Sequence, residues 1–145
     1  MLKSKYFTEY EMTDSITATL NNIDNTPTEE HRENLKELME VLDTIREKWG
    51  GPIRITSGYR CEELNKKLGG SKTSVHPLAL AADMKPYNNK IDEFFKCVEE
   101  WAKDEKNTWD QIIWETDKSG NRWCHFGWKN AKGQQRKQIK SMTKK

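Results

Sequence analysis

Long apolar runs are missing from this chain of 145 residues, and no stretch approaches the roughly 18 consecutive apolar residues of a membrane span. The residues after Met1, Leu-Lys-Ser-Lys-Tyr-Phe-Thr-Glu, hold no apolar core for a secretory signal. The expectation is therefore synthesis in the cytoplasm, with some other device releasing the product if its substrate lies beyond the membrane. Cysteine is scarce: Cys61, Cys97 and Cys124 are odd in number and form no CxxC pair, which argues against a disulfide framework and against a thiolate zinc site. An excess of one charge is also missing, since 25 basic residues nearly cancel 23 acidic ones to leave +2. No basic stripe interleaved with aromatics is present, so nothing points to nucleic acid. Internal repeats and low-complexity blocks are absent, and histidine occurs only three times.

What is present suits one folded domain. Apolar residues make up 34% and charged residues 33%, a polar balance that six Trp, four Tyr and four Phe offset by burying large areas each. A second independent core would be hard to fill at this length, and a monomer is the default expectation. Residues 1–130 read as the domain and 131–145 as a basic, flexible tail, because Lys129 to Lys145 carries seven Lys or Arg and no acid. The sharper alternative for that tail is a basic arm attracted to an anionic surface.

Hydrophobic spacing predicts the elements. The polar first 25 residues offer Ile16, Leu20 and Ile23 as anchors. Thr26-Pro27-Thr28-Glu29 reads as a cap, a first-turn proline and a capping-box glutamate, followed by Leu35, Leu38, Met39, Leu42, Ile45 and Trp49 at helical spacing up to Gly50-Gly51-Pro52. Ile53 to Thr56 reads as a strand, about 60–68 as a short helix and 79–84 as a buried strand. Asn88 or Asn89 should cap a helix whose apolar face includes Ile91, Phe94, Phe95, Val98, Trp101 and Ala102. Residues 110–116 and 122–128 read as a hairpin joined through 117–121. Helices first and strands afterwards predict an α+β domain, with N-terminal helices packed on a small, mostly antiparallel sheet.

The chemistry concentrates in few residues. His31 lies on the polar face of the long helix and reads as surface. His76, Asp83 and His125 form a two-nitrogen, one-carboxylate donor set of the kind that holds catalytic zinc with a position left for water. Seven extended residues would span about 23 Å, so His76 and Asp83 can share an ion only if the chain folds back near Pro77. Glu115 ends the apolar strand Ile112-Ile113-Trp114, an uncommon place for a solvated carboxylate, and is the candidate base. It faces the same side as His125 only if the hairpin loop holds an odd number of residues. The same alternation turns Cys124 away from His125 and makes it a core thiol. Arg60, following Ser57-Gly58-Tyr59, could hold a substrate carboxylate or an oxyanion.

Taken together, Ser57-Gly58-Tyr59-Arg60, Ser74-Val75-His76, Ala81-Ala82-Asp83 and Trp123-Cys124-His125 resemble the zinc D-Ala-D-Ala carboxypeptidase family, which shares a fold with the hedgehog signalling domain. Asp24-Asn25-Thr26-Pro27 and Gly69-Gly70-Ser71 resemble its single-domain phage and bacterial members. The resemblance implies zinc on His76, Asp83 and His125, a glutamate base at Glu115, carbonyl polarisation by Arg60, and substrate contact or site support by Ser74. It implies peptidoglycan stem peptide as substrate, cut at a D-Ala-D-Ala or L-Ala-D-Glu bond, with an endolysin-like role as one setting.

Departures from the family pattern give expectations of their own. Ala79 stands where the family usually has glycine, three residues after the first histidine. A left-handed backbone there would cost alanine on the order of 1 kcal/mol, which predicts a different local turn. Arg122 stands where some members carry a glutamate. The rival readings are a zinc-containing but catalytically silent binding module of the same fold, and a metal-free structural protein.

Overall fold

The structure is a computed structural model that describes residues 1–143, so Lys144 and Lys145 of the expected tail lie outside the described residues. Two short helices, α1 (Glu9–Thr13) and α2 (Ile16–Leu20), precede the long α3 (Glu29–Trp49). Strand β1 (Ile53–Ser57), α4 (Glu62–Lys67) and a 3-10 turn at His76–Leu78 lead into β2 (Ala81–Pro86). Helix α5 (Ile91–Lys103) then precedes β3 (Gln111–Thr116), β4 (Arg122–Gly127) and β5 (Gln138–Thr143). The five strands form one sheet in the order β1-β2-β4-β3-β5, antiparallel except for the β3–β5 pair. This is the expected α+β architecture.

Strand alternation divides the sheet into two faces of opposite character. Ala82 and Met84 of β2, Ile112 of β3, and Cys124 and Phe126 of β4 point into the core, where they meet Leu35, Leu38, Met39, Leu42 and Ile45 of α3 and Phe94 and Val98 of α5. Trp114 belongs to the same face and stacks on Phe95, with ring centroids 3.9 Å apart. The residues between them, Asp83, Ile113, Glu115 and His125, therefore point away from the helices. Burying one face fixes the register, because a one-residue slip would send Cys124 and Phe126 outward.

The long helix starts two residues later than predicted. Thr28, rather than Thr26, is the N-cap and accepts the amide of His31, while Gly50 closes the helix in the left-handed conformation at φ 78°. Proline at 27 thus lies outside the helix. Helix α5 likewise begins after Lys90, which offers no side-chain cap; Asn88 instead accepts the amide of Lys90. At the N-terminus only one of the three expected anchors is buried. Ile16 and Leu20 are exposed one turn apart on α2, and Ala18 with Ile23 packs against Leu64 instead. A five-residue helix has one narrow buried face, and here the small side chain occupies it. The N-terminal segment is held further by Glu9, buried and doubly bonded by the Arg32 guanidinium, and by Asp43, which accepts from the amides of Lys5 and Tyr6.

The C-terminal segment differs from the expected flexible tail. Residues 138–143 are the parallel edge strand β5, paired along β3 from Gln111–Gln138 to Thr116–Thr143. Arg136 anchors it through its backbone amide, Nε and Nη2, which all donate to the buried carboxylate of Asp110. Composition alone registers the positive charge but not this acidic partner 26 residues earlier.

Candidate metal centre

Register delivers two of the three candidate ligands. Asp83 on the interior strand β2 sits directly opposite His125 on the central strand β4, and their side chains leave the sheet on the same face. His125 Nδ1 is 3.0 Å from Asp83 Oδ1. The third arrives by the fold-back that the sequence demands: the 3-10 turn carries Pro77, and Ala79 adopts φ 60° and ψ 35° before β2 begins. The left-handed turn is therefore kept with alanine in place, contrary to the expectation of a different geometry. Its methyl group is fully buried in the core, which offsets part of the backbone cost. Asn34 of α3 donates to the carbonyl of Leu78 and Leu80 returns its amide to Val75, which pins the turn.

His76 is almost fully buried, and its Nδ1 lies 2.7 Å from the carbonyl oxygen of Gly58. A carbonyl can only accept, so Nδ1 carries the proton and Nε2 turns its lone pair toward Asp83 Oδ1, 3.5 Å away. Burial pulls the His76 pKa below its ordinary value despite the opposing pull of Asp83, so the ring is neutral at pH 7. Burial by itself would raise the Asp83 carboxyl, but the hydrogen bond from His125 Nδ1 helps hold it below the usual range, and it is ionised. A neutral nitrogen lone pair and a carboxylate oxygen face one another, an arrangement that a cation between them relieves.

The donor geometry suits such a cation. The ligating atoms of His76, Asp83 and His125 all lie within 4.8 Å of one another. Tetrahedral zinc with bonds near 2.0–2.2 Å has ligand edges of roughly 3.3 Å, and the two measured contacts bracket that value. The Gly58 carbonyl is the outer-shell acceptor that metal-binding histidines normally use to fix tautomer and ring orientation. Gly58 must be glycine for a separate reason: a Cβ there would stand 2.4 Å from the backbone oxygen of Met12. A bulge between Ile55 and Ser57 re-aims the end of β1 so that Gly58 reaches this position.

The remaining candidates line the same groove, a cavity of about 870 Å³ that also includes Ser71 and Gly127. Glu115 pairs with Trp123, and His125 with Ile113, across a five-residue loop, so Glu115 and His125 share a face as the odd-loop rule requires. Asp117 builds that loop by accepting the amides of Ser119 and Asn121. Glu115 is 7% exposed and lines the groove within the field of Arg60. Arg60 is half-buried, its Nε has no hydrogen-bond partner among the described residues, and burial lowers its pKa while Asp83 and Glu115 oppose the shift. Ser74 accepts the His76 amide through Oγ at 3.2 Å. Cys124 is buried on the core face, and burial pushes its thiol well up. Arg122 pairs with Asp92, and its guanidinium lies 5.2 Å from the centre of the Phe95 ring. His31 is half-buried rather than exposed, beside the ring of Tyr59.

Sequence reasoning missed two contributors. Asn25 holds the segment that carries Arg60, accepting the Cys61 amide at 2.7 Å and donating to the carbonyls of Thr13 and Tyr59. Strand β5 adds Lys140 and Met142 to the groove wall. Only the run Asp24-Asn25-Thr26-Pro27 hinted at the first, and no local signal marks the second.

Comparison with known proteins adds an independent line. A search of curated proteins finds no match. A family model described as Peptidase M15 matches residues 5–111, which include His76 and Asp83 and stop short of Glu115 and His125. The match covers most of the chain, and the sheet register brings the two unmatched residues to the face that carries the matched aspartate. The chain belongs to the Peptidase M15 family, whose members are zinc-dependent peptidases.

Proposed function

We propose that the protein is a zinc metallopeptidase hydrolysing peptide bonds of bacterial peptidoglycan stem peptides, at a D-Ala-D-Ala or an L-Ala-D-Glu linkage. The observation that carries the reading is Glu115: a glutamate only 7% exposed that lines the same groove and lies on the same sheet face as the donor cluster. His76 Nε2, Asp83 and His125 Nδ1 would hold the zinc. When bound, zinc supplies Lewis-acid polarisation of a carbonyl and lowers the pKa of water toward ~7.

The chain's own residues supply the rest. Glu115 accepts the proton of the attacking water as the new C–O bond forms, then delivers it to the departing nitrogen as the C–N bond breaks, and so returns to its ionised form. Arg60, whose Nε has no partner among the described residues, donates to the developing oxyanion. Ser74 accepts the His76 amide and keeps its own hydroxyl proton free for substrate. Action on the cell wall as a monomer after release from the cytoplasm, as an endolysin does, completes the proposal.

Purified peptidoglycan incubated with the zinc-loaded protein tests it. Release of free D-Ala identifies a carboxypeptidase, and new D-Glu amino termini identify an endopeptidase. Glu115→Gln should retain zinc and lose about 10²–10⁴ in rate. No cleavage by the zinc-loaded wild type would overturn the proposal in favour of a binding module.

A further inference from the structure

The strand that walls the groove at its far side suggests what the substrate must carry. Reading across the sheet at one level, Asp83 of β2 is paired with His125 of β4, His125 with Ile113 of β3, and Ile113 with Lys140 of β5. Directly paired residues share a face, so these four side chains form one row on the groove side. Strands lie about 4.8 Å apart, which places Lys140 roughly 10 Å from His125, with the apolar Ile113 between them. The row thus runs from the donor cluster, over an aliphatic spacer, to a cation. In the adjacent row Met142 lies beside Glu115 and extends the apolar strip.

Lys140 is the uncommitted charge in this wall. Arg136 is consumed by Asp110, whose carboxylate receives three donors from it. Among the described residues no carboxylate lies within ion-pair distance of the Lys140 ammonium, although Asp110 is near enough to feel its field. The Asp110–Arg136 latch and the hydrogen bond that the Gln138 amide donates to the carbonyl of Asp110 hold β5 against β3, so the lysine springs from ordered backbone.

We infer that Lys140 is a specificity-determining residue that pairs with a free carboxylate carried by the substrate residue beside the scissile bond, with Ile113 and Met142 lining the wall against that residue. The inference rests on the peptidase reading above. A carboxylate next to the cleaved linkage is common to a C-terminal D-Ala and to a γ-linked D-Glu, so the assignment does not depend on which of those bonds is cut. A lysine that merely protects a sheet edge would show no such preference.

The test uses two synthetic peptides, acetyl-L-Ala-γ-D-Glu-L-Lys amide with a free α-carboxylate on D-Glu, and the same peptide with that group as carboxamide. Affinities are measured by calorimetry with zinc-loaded Glu115→Gln, which slows turnover. The carboxylate peptide should bind roughly five- to tenfold more tightly. Adding Lys140→Met should abolish that preference without weakening the carboxamide peptide, and Lys140→Arg should keep it. Lys132→Met, which removes the same charge elsewhere on the groove rim, should leave it intact. Equal binding of the two peptides, or a preference that survives Lys140→Met, overturns the inference. Wild-type protein that cleaves peptidoglycan while showing no carboxylate preference separates this failure from that of the peptidase reading, which fails only if zinc-loaded wild type cleaves nothing.

Discussion

Replacing Gly58 by alanine should damage the metal centre without touching any of its ligands. The added Cβ would stand 2.4 Å from the oxygen of Met12 and 3.0 Å from that residue's carbonyl carbon and Cα. These are backbone atoms, so no side-chain rotation relieves the clash. The same Met12 oxygen accepts the Tyr59 amide at 2.7 Å, which resists separation of the two segments. Overpacking of this kind costs about 1–3 kcal/mol. The displaced group is the Gly58 carbonyl that fixes His76 Nδ1 at 2.7 Å, and loss of such a partner lowers metal affinity about 10–100-fold. At a free zinc concentration of about 100 times the wild-type Kd, zinc stabilises the wild type by ~2.7 kcal/mol, and the variant by only ~0.4–1.4 kcal/mol. Urea denaturation with and without zinc, alongside chelator competition, measures both quantities. Gly127→Ala is the control, since its new methyl group meets nothing closer than 3.6 Å. A Gly58→Ala protein with wild-type stability and zinc affinity would refute the coupling of the β1 bulge to the metal site.

Three further outcomes follow from the same geometry. Ala79→Gly should leave stability within about 0.5 kcal/mol in thermal denaturation, because relief of the left-handed strain and loss of a buried methyl nearly cancel, whereas Ala79→Val should cost more than about 2 kcal/mol. Asp110→Asn should raise amide exchange across residues 138–143 in hydrogen-exchange measurements, leaving α3 protected. Burial alone would raise the Asp110 carboxyl, but Arg136 holds it below its ordinary 3.8, so the latch is intact above that pH and is lost as pH falls through the native value; the Asn variant should lack this acid step. Cys124→Ala should cost about 1–2 kcal/mol in denaturation and leave zinc content unchanged, because its thiol faces the core.

Periodicity and residue chemistry made much of this protein legible from sequence. The apolar spacing of Leu35 to Ile45 and of Phe94 to Trp101 identified the two helices that build the core. Alternation along Ile112 to Glu115 and Cys124 to Phe126 separated site face from core face, because neighbouring strand residues must point to opposite sides. The scarcity of histidine left His76 and His125, with Asp83, as the natural donor set. Contacts between distant residues were not legible. Whether His76 could reach Asp83 depended on a left-handed turn at Ala79 that propensity argues against and core burial of its methyl supports. The tautomer of His76 depended on Gly58, placed by a bulge that no local pattern announces. The basic C-terminus reads as tail from composition, since charge is a local property. Only its pairing with β3 and the buried partner Asp110, both far away in sequence, make it a wall of the groove.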